Sequence, residues 1–210
     1  NKIDYKAISS ANKTILNEAL ESQNYELVKL IIPLKGINIK IKDFYKRTLL
    51  HTACDTGQLD LVKILVDTKQ IDIKSKDEYG MTILHYACKS GNFDLIKYVI
   101  SMNGINVEEK DNKRNTVLHY LCENNNLDSI KYIISLKKID INAKNKDGNT
   151  AFHISSQIED LEIIKYLTSV EGINITIQNN NGETALHWVL QCGNEELSKF
   201  LISLGSFNLQ

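Results

Sequence analysis

From residue 14 to the C-terminus two kinds of short apolar run alternate along the chain. The first kind is "LLHTAC" at 49–54, entered from Thr48 and left at Gly57. The second is "QLDLVKILV" at 58–66, where Leu59, Leu61, Val62, Leu65 and Val66 recur at helical spacing and form one apolar stripe. A β-branched stretch, "IDIKSKD", follows and ends in turn residues. This pattern predicts a helix, a break, a second helix and a short extended finger.

The unit then repeats. "TLLH" at Thr48, "TILH" at Thr82, "TVLH" at Thr116, "TAFH" at Thr150 and "TALH" at Thr184 are each 34 residues apart, and a degenerate copy, "TILN", begins at Thr14. The fingers read "INIKIKD", "IDIKSKD", "INVEEKD", "IDINAKN" and "INITIQN". Threonine is suited to cap the first helix by accepting from its orphan N–H groups. Glycine at 57, 91 and 193 supplies the left-handed conformation that ends that helix. Asn125 and Glu159 replace it in two copies, which predicts looser turns there. Each second helix carries an acid in its first turn and a lysine three residues on: Glu26 and Lys29, Asp60 and Lys63, Asp94 and Lys97, Asp128 and Lys131, Glu162 and Lys165, Glu196 and Lys199. They read as surface ion pairs on a solvated face.

These residues closely resemble the ankyrin repeat, whose signature is Thr-Pro-Leu-His-x-Ala, a glycine-bounded second helix and a β-turn. The resemblance covers nearly the whole chain. Two departures stand out: the proline is replaced by Leu49, Ile83, Val117, Ala151 and Ala185, and the period is one residue longer, an addition placed at the end of the second helix in "DTKQID" and "SMNGIN". The resemblance implies an all-α solenoid of helix-turn-helix repeats with short β-hairpin-like fingers. Residues 1–210 then form a single domain, with repeats starting at 14, 48, 82, 116, 150 and 184. Residues 1–13 align with the tail of a preceding repeat and the C-terminal "FNLQ" with the start of another finger, so the chain is expected to be part of a longer array.

Composition narrows the partners. With 25 basic and 26 acidic side chains in 210 residues the formal charge is −1, and no global field recruits nucleic acid. The longest apolar runs, such as "LVKLII", are short and carry lysines, so no membrane insertion is expected. Four cysteines in a chain with 42% hydrophobic residues read as reduced thiols, which points to an intracellular, cytoplasmic setting.

Histidine and cysteine three residues apart, at His51/Cys54, His85/Cys88 and His119/Cys122, raise the question of a metal site or a nucleophile. All five histidines (51, 85, 119, 153 and 187) occupy one slot of the repeat, the mark of a structural role. A structural zinc needs four ligands and one repeat supplies two. Helices packed about 8–10 Å apart keep equivalent side chains from sharing an ion or closing a disulfide. The cysteines also lie beyond the helix N-terminus that would activate a thiol. No phosphate loop, HExxH or GxSxG run is present. The chain is therefore expected to be no enzyme and to need no cofactor or metal. The resemblance implies that each histidine bridges backbone and the threonine hydroxyl between neighbouring units. Cys192 stands out of register and is the expected reactive thiol.

Function is then expected on the variable slots of the finger tips and the exposed side of the first helices, which line a concave face. Aromatic and arginine side chains dominate such interfaces. The candidate partner-binding residues are Phe44, Tyr45, Arg47, Asp55, Tyr79, Met81, Tyr86, Lys89, Lys113, Tyr120 and Trp188. For Tyr86, Tyr120 and Trp188, packing between repeats stands as an equal alternative. Tyr98, Tyr132 and Tyr166 form a ladder read as packing on the convex side. The expected function is that of a non-catalytic scaffold, a monomer binding another protein. The alternative is a regulatory or targeting region of a larger enzyme, channel or host-directed effector.

Overall fold

A computed structural model of the chain describes residues 14–34 and 36–205. The aligned tails at 1–13 and 207–210 lie outside the described residues. Twelve helices of seven to nine residues occur among the described residues, in six antiparallel pairs: α1 (Ile15–Glu21) with α2 (Tyr25–Ile31), α3 (Leu49–Asp55) with α4 (Leu59–Asp67), α5 (Ile83–Ser90) with α6 (Phe93–Ser101), α7 (Val117–Glu123) with α8 (Leu127–Ser135), α9 (Ala151–Ile158) with α10 (Leu161–Ser169), and α11 (Ala185–Cys192) with α12 (Glu195–Ser203). Helices this short are unstable alone in water, so packing must hold them. Their buried slots recur in register: Leu50, Leu84, Leu118, Phe152 and Leu186 on the first helices, and Val62, Ile96, Ile130 and Ile164 on the second.

From α3 to α11, first helices pack closely on first helices, whereas second helices touch one another sparsely. The stack therefore bends with the first helices on its inner side. The slots tolerate compensation: position 129 holds Ser where neighbouring repeats have Leu95 and Ile163, while Leu121 stands where they have Ala87 and Ser155. Ser129 is fully buried and its hydroxyl has no hydrogen-bond partner.

The histidine slot works as the resemblance implies, and its chemistry can be specified. The backbone N–H of Thr82 donates to Nδ1 of His85 at 3.1 Å, and the Thr82 hydroxyl lies 2.9 Å from the same nitrogen. The arrangement recurs at Thr48/His51, Thr116/His119, Thr150/His153 and Thr184/His187. An N–H can only donate, so Nδ1 is the acceptor and the proton of the neutral ring sits on Nε2. That nitrogen then donates onward: His119 to the Asn149 carbonyl at 3.1 Å and His153 to the Glu183 carbonyl at 3.2 Å. Nε2 of His51 and of His85 is buried and makes no such bond. Their nearby groups are the equivalent carbonyls of Met81 and Asn115.

Among the described residues there are no strands; the hairpin-like fingers are turns, with one isolated bridge, Lys42 to Thr48. An Asp or Asn side chain closes each turn. Asp77 Oδ1 accepts from the N–H groups of Tyr79 and Met81 at 2.9 and 2.8 Å, and Asn145 and Asn179 act alike. Successive tips are tied through backbone: Glu78 N–H to the Tyr45 carbonyl, Asn112 to Tyr79, Lys146 to Lys113 and Asn180 to Asp147, at 2.8–3.0 Å. The expected loosening at Asn125 and Glu159 is also corrected. Both adopt the left-handed conformation, with φ of 54° and 64°. Side-chain bonds hold them to the next repeat, Asn125 to Asp160 and Glu159 to Asn194.

The expected ion pairs of the second helices form between Glu26 and Lys29, while Lys199 takes Glu195 instead of Glu196. The four lysines between them lie over aromatic rings. Lys63, Lys131 and Lys165 reach the next repeat's Tyr98, Tyr166 and Phe200 at 5.7–5.9 Å, and Lys97 covers Phe93 of its own helix. A ring face partly shielded from water competes well with an exposed carboxylate only one turn away.

Burial lowers the pKa of His51, His85, His119 and His153 below the ordinary value. Between that lowered value and about 6.5 the unfolded chain binds more protons than the folded one. Stability is thus complete above about pH 6.5 and lost as pH falls below it. The melting temperature should be flat from pH 8 to 7 and drop from pH 6.5 to 5, above the range where carboxylates titrate. Ser129→Ala, by removing an unpartnered buried hydroxyl, should stabilise the fold by about 1 kcal/mol in urea unfolding. Cys54, Cys88 and Cys122 are buried and Cys192 is exposed. A thiol reagent at pH 8 should therefore modify one cysteine in native protein and the remaining three only in denaturant.

Candidate functional site

The expected partner residues separate into three environments. At the tips of the first finger (37–47) and second finger (71–81), Phe44 is 87% exposed, Tyr45 42% and Tyr79 49%. Their rings form one cluster. Phe44 meets Tyr45 edge-on with centroids 5.3 Å apart, and Tyr45 lies 5.9 Å from Tyr79 at a tilt of 31°. The backbone bond from Glu78 to Tyr45 brings the two tips together.

On the inner side, Arg47 and Lys89 converge on Asp55. Arg47 Nη1 lies 3.7 Å from Asp55 Oδ2, and Lys89 Nζ lies 3.3 Å from Oδ1. Arg47 also bonds Asp43 at 2.7 Å through Nε, and its guanidinium covers the Tyr45 ring at 5.6 Å. Arg47 is thus a brace between finger, ring and first helix. Lys89 sits at the exposed edge of this network and lies 5.7 Å from the Tyr86 ring. Lys113 stands on the third finger (105–115), exposed and without an ion pair among the described residues.

The third group faces inward. Met81 and Tyr86 are buried, at 8% and 4% exposure, and Tyr120 and Trp188 are partly buried. The Tyr86 hydroxyl donates to Asp77 Oδ2 at 2.7 Å, and the Tyr120 hydroxyl to Asp111 Oδ2 at 2.6 Å. Their rings stand edge-on to His51 and His85, as Trp188 does to His153. Burial, followed by the bonded carboxylate, pushes both phenols well above the ordinary tyrosine value. Trp188 Nε1 donates to Glu183, whose carboxyl is held down to about 2 by bonds from Asn179, Trp188 and Gln191. For these aromatics the packing alternative describes the geometry.

Asp77 and Asp111 were not singled out in the sequence, yet each organises a finger and anchors the following first helix. A signal was available: Asp with Tyr nine residues later, at 77/86 and 111/120, against Asn145 with Ile154 and Asn179 with Trp188. Lys46 and Arg114 were likewise passed over. They are exposed and hold φ of 60° and 62° at a turn position where the other fingers have Gly80, Gly148 and Gly182.

No group of three or more His, Cys, Asp or Glu side chains suited to a metal occurs among the described residues. Burial pushes the Cys122 thiol up to about 12, and Cys54 and Cys88 further. None of the three is a thiolate near neutral pH, and their histidines are committed to threonine caps. Between the ends of α8 and α10 a cavity of about 530 Å³ is lined by Ile134, Ile139, Ile141, Tyr166 and Val170, with Lys137, Asp140 and Glu171 at its margin. No helix among the described residues is long and apolar enough to cross a membrane.

A comparison with curated proteins returns no match. The family model described as ankyrin repeats (3 copies) matches residues 16–111, 69–145 and 118–210, and so spans the helix pairs described above. Proteins of that family are generally protein–protein interaction modules and typically non-catalytic. With the threonine–histidine caps, the paired helices and the tied fingers all in a 34-residue register, the chain belongs to the ankyrin-repeat family.

Proposed function

We propose that the chain is a non-catalytic scaffold that binds a protein partner at the tips of its first two fingers and the adjoining inner edge. The aromatic cluster of Phe44, Tyr45 and Tyr79 is the observation that supports this reading. Three large rings exposed side by side on fixed backbone cost little entropy to bury, which is the property of an interface anchor. Arg47, Asp55 and Lys89 form a polar rim beside it, with charges available to a partner at the edge of the cluster. Met81 and Tyr86 are buried at the end of the second finger and on the helix that follows it; Tyr120 and Trp188 pack farther along the stack.

Phe44→Ser with Tyr79→Ser removes anchors without touching the core. In affinity capture from the native cell, proteins held by the wild type and by a Lys199→Ala control should be lost from this variant. With the purified partner, affinity should fall at least about tenfold while circular dichroism and melting temperature stay unchanged. Equal affinity of the variant would remove the site from the finger tips.

A further inference from the structure

Beyond the aromatic cluster, the row of finger tips changes character. The third finger and the fourth (139–149) present Lys113, Arg114 and Lys146, all exposed and without ion pairs among the described residues. Asp147 stands beside them, and Glu78 is the acid within the aromatic end. Arg114 holds a left-handed backbone where glycine would fit without strain, as Lys46 does on the first finger. A non-glycine residue is disfavoured in that region, and backbone strain of this kind clusters at functional sites. The tips carrying these side chains are fixed by the backbone ladder, and Asn112 and Asn180 reinforce it by bonding the carbonyls of Glu78 and Lys146.

Resting on the reading of the tips as a protein interface, we infer that the occupant is an extended acidic peptide segment. Its apolar or aromatic side chain docks against Phe44 and Tyr79, and its carboxylates reach Lys113, Arg114 and Lys146. The centre of the aromatic pair of fingers and the centre of the basic pair are two repeats apart, about 16–20 Å for helices packed at about 8–10 Å. An extended chain advances about 3.3 Å per residue, so the anchor and the acidic pair lie about five or six residues apart. The aromatic cluster suits a side chain better than a nucleobase. Tyr45 is already covered by Arg47 and packed by its two neighbours, so the central ring of the cluster is no open platform for stacking. Glu78 and Asp147 would repel a continuous phosphate backbone and are tolerated by a peptide with carboxylates at chosen positions.

A phage-displayed library of random sixteen-residue peptides, selected on the whole chain, tests this. Selected peptides should share an aromatic or apolar residue and an acidic pair at that spacing. Binding of the synthetic peptide should weaken about tenfold with Lys113→Glu/Arg114→Glu and fall steeply between 50 and 300 mM salt. Lys46→Gly/Arg114→Gly should also weaken it, while its melting temperature stays level or rises because strain is relieved. Peptides that lack acids, or whose binding ignores these substitutions, overturn the inference; if that binding is still lost in Phe44→Ser/Tyr79→Ser, the broader reading of the site stands. A library that yields no binder, or a twenty-residue oligothymidylate that binds while peptides do not, overturns both.

Discussion

From α3 to α11 every first helix of this chain begins with a hydrogen-bonded closure that only a neutral histidine can make. Nδ1 accepts from the threonine N–H and hydroxyl, which leaves the proton on Nε2, directed at the finger of the following unit. One side chain thereby caps its own helix, and at His119 and His153 it also ties that helix to the next repeat. Helices of seven to nine residues have no stability of their own to draw on, so capping together with packing between neighbouring repeats holds the stack. It also decides the histidine–cysteine question. Nδ1 of the ring is committed to the cap, and the thiol three residues on is a buried apolar filler.

The fingers meet the same demand by other means. Without strands, their polar backbone is satisfied by Asp and Asn side chains within each turn and by a hydrogen bond from tip to tip. Backbone supplies a contact between each pair of neighbouring fingers, and apart from Asn112 and Asn180, which reinforce it, several tip side chains are free of structural duty. Phe44, Tyr79, Lys113 and Arg114 can vary without loosening the array, whereas Asp77 and Asp111 cannot. These two acids serve the turn with one oxygen and a tyrosine of the next helix with the other. The inner surface of the middle repeats is accordingly built of Asp–Tyr pairs and His–aromatic contacts that belong to the fold, and the side chains free to vary lie outward at the tips.

Much of this was legible in the residues. The 34-residue period, the paired short helices, the threonine caps, the buried slots and the structural standing of the histidines all follow from local chemistry repeated in register. A stripe of apolar residues must be covered, and a cap must satisfy the N–H groups beside it. Phe44, Tyr45 and Tyr79 were found as candidates because a finger tip has no neighbour to bury it.

What only the tertiary structure decided concerns side chains that meet residues about 30 to 35 positions away. Lys63, Lys131 and Lys165 leave the acid one turn off and lie on a ring of the next repeat. Asn125 and Glu159 keep a glycine's conformation because the following repeat supplies a hydrogen bond to each. Tyr86 looks like a variable surface residue within its own repeat, yet Asp77 and the edge of His51 enclose it. Local pattern determines which slot a residue occupies, since backbone periodicity depends on near neighbours alone. What a side chain finds in that slot depends on distances across the stack and on the neighbour's own identity, and those exist only once the repeats have packed.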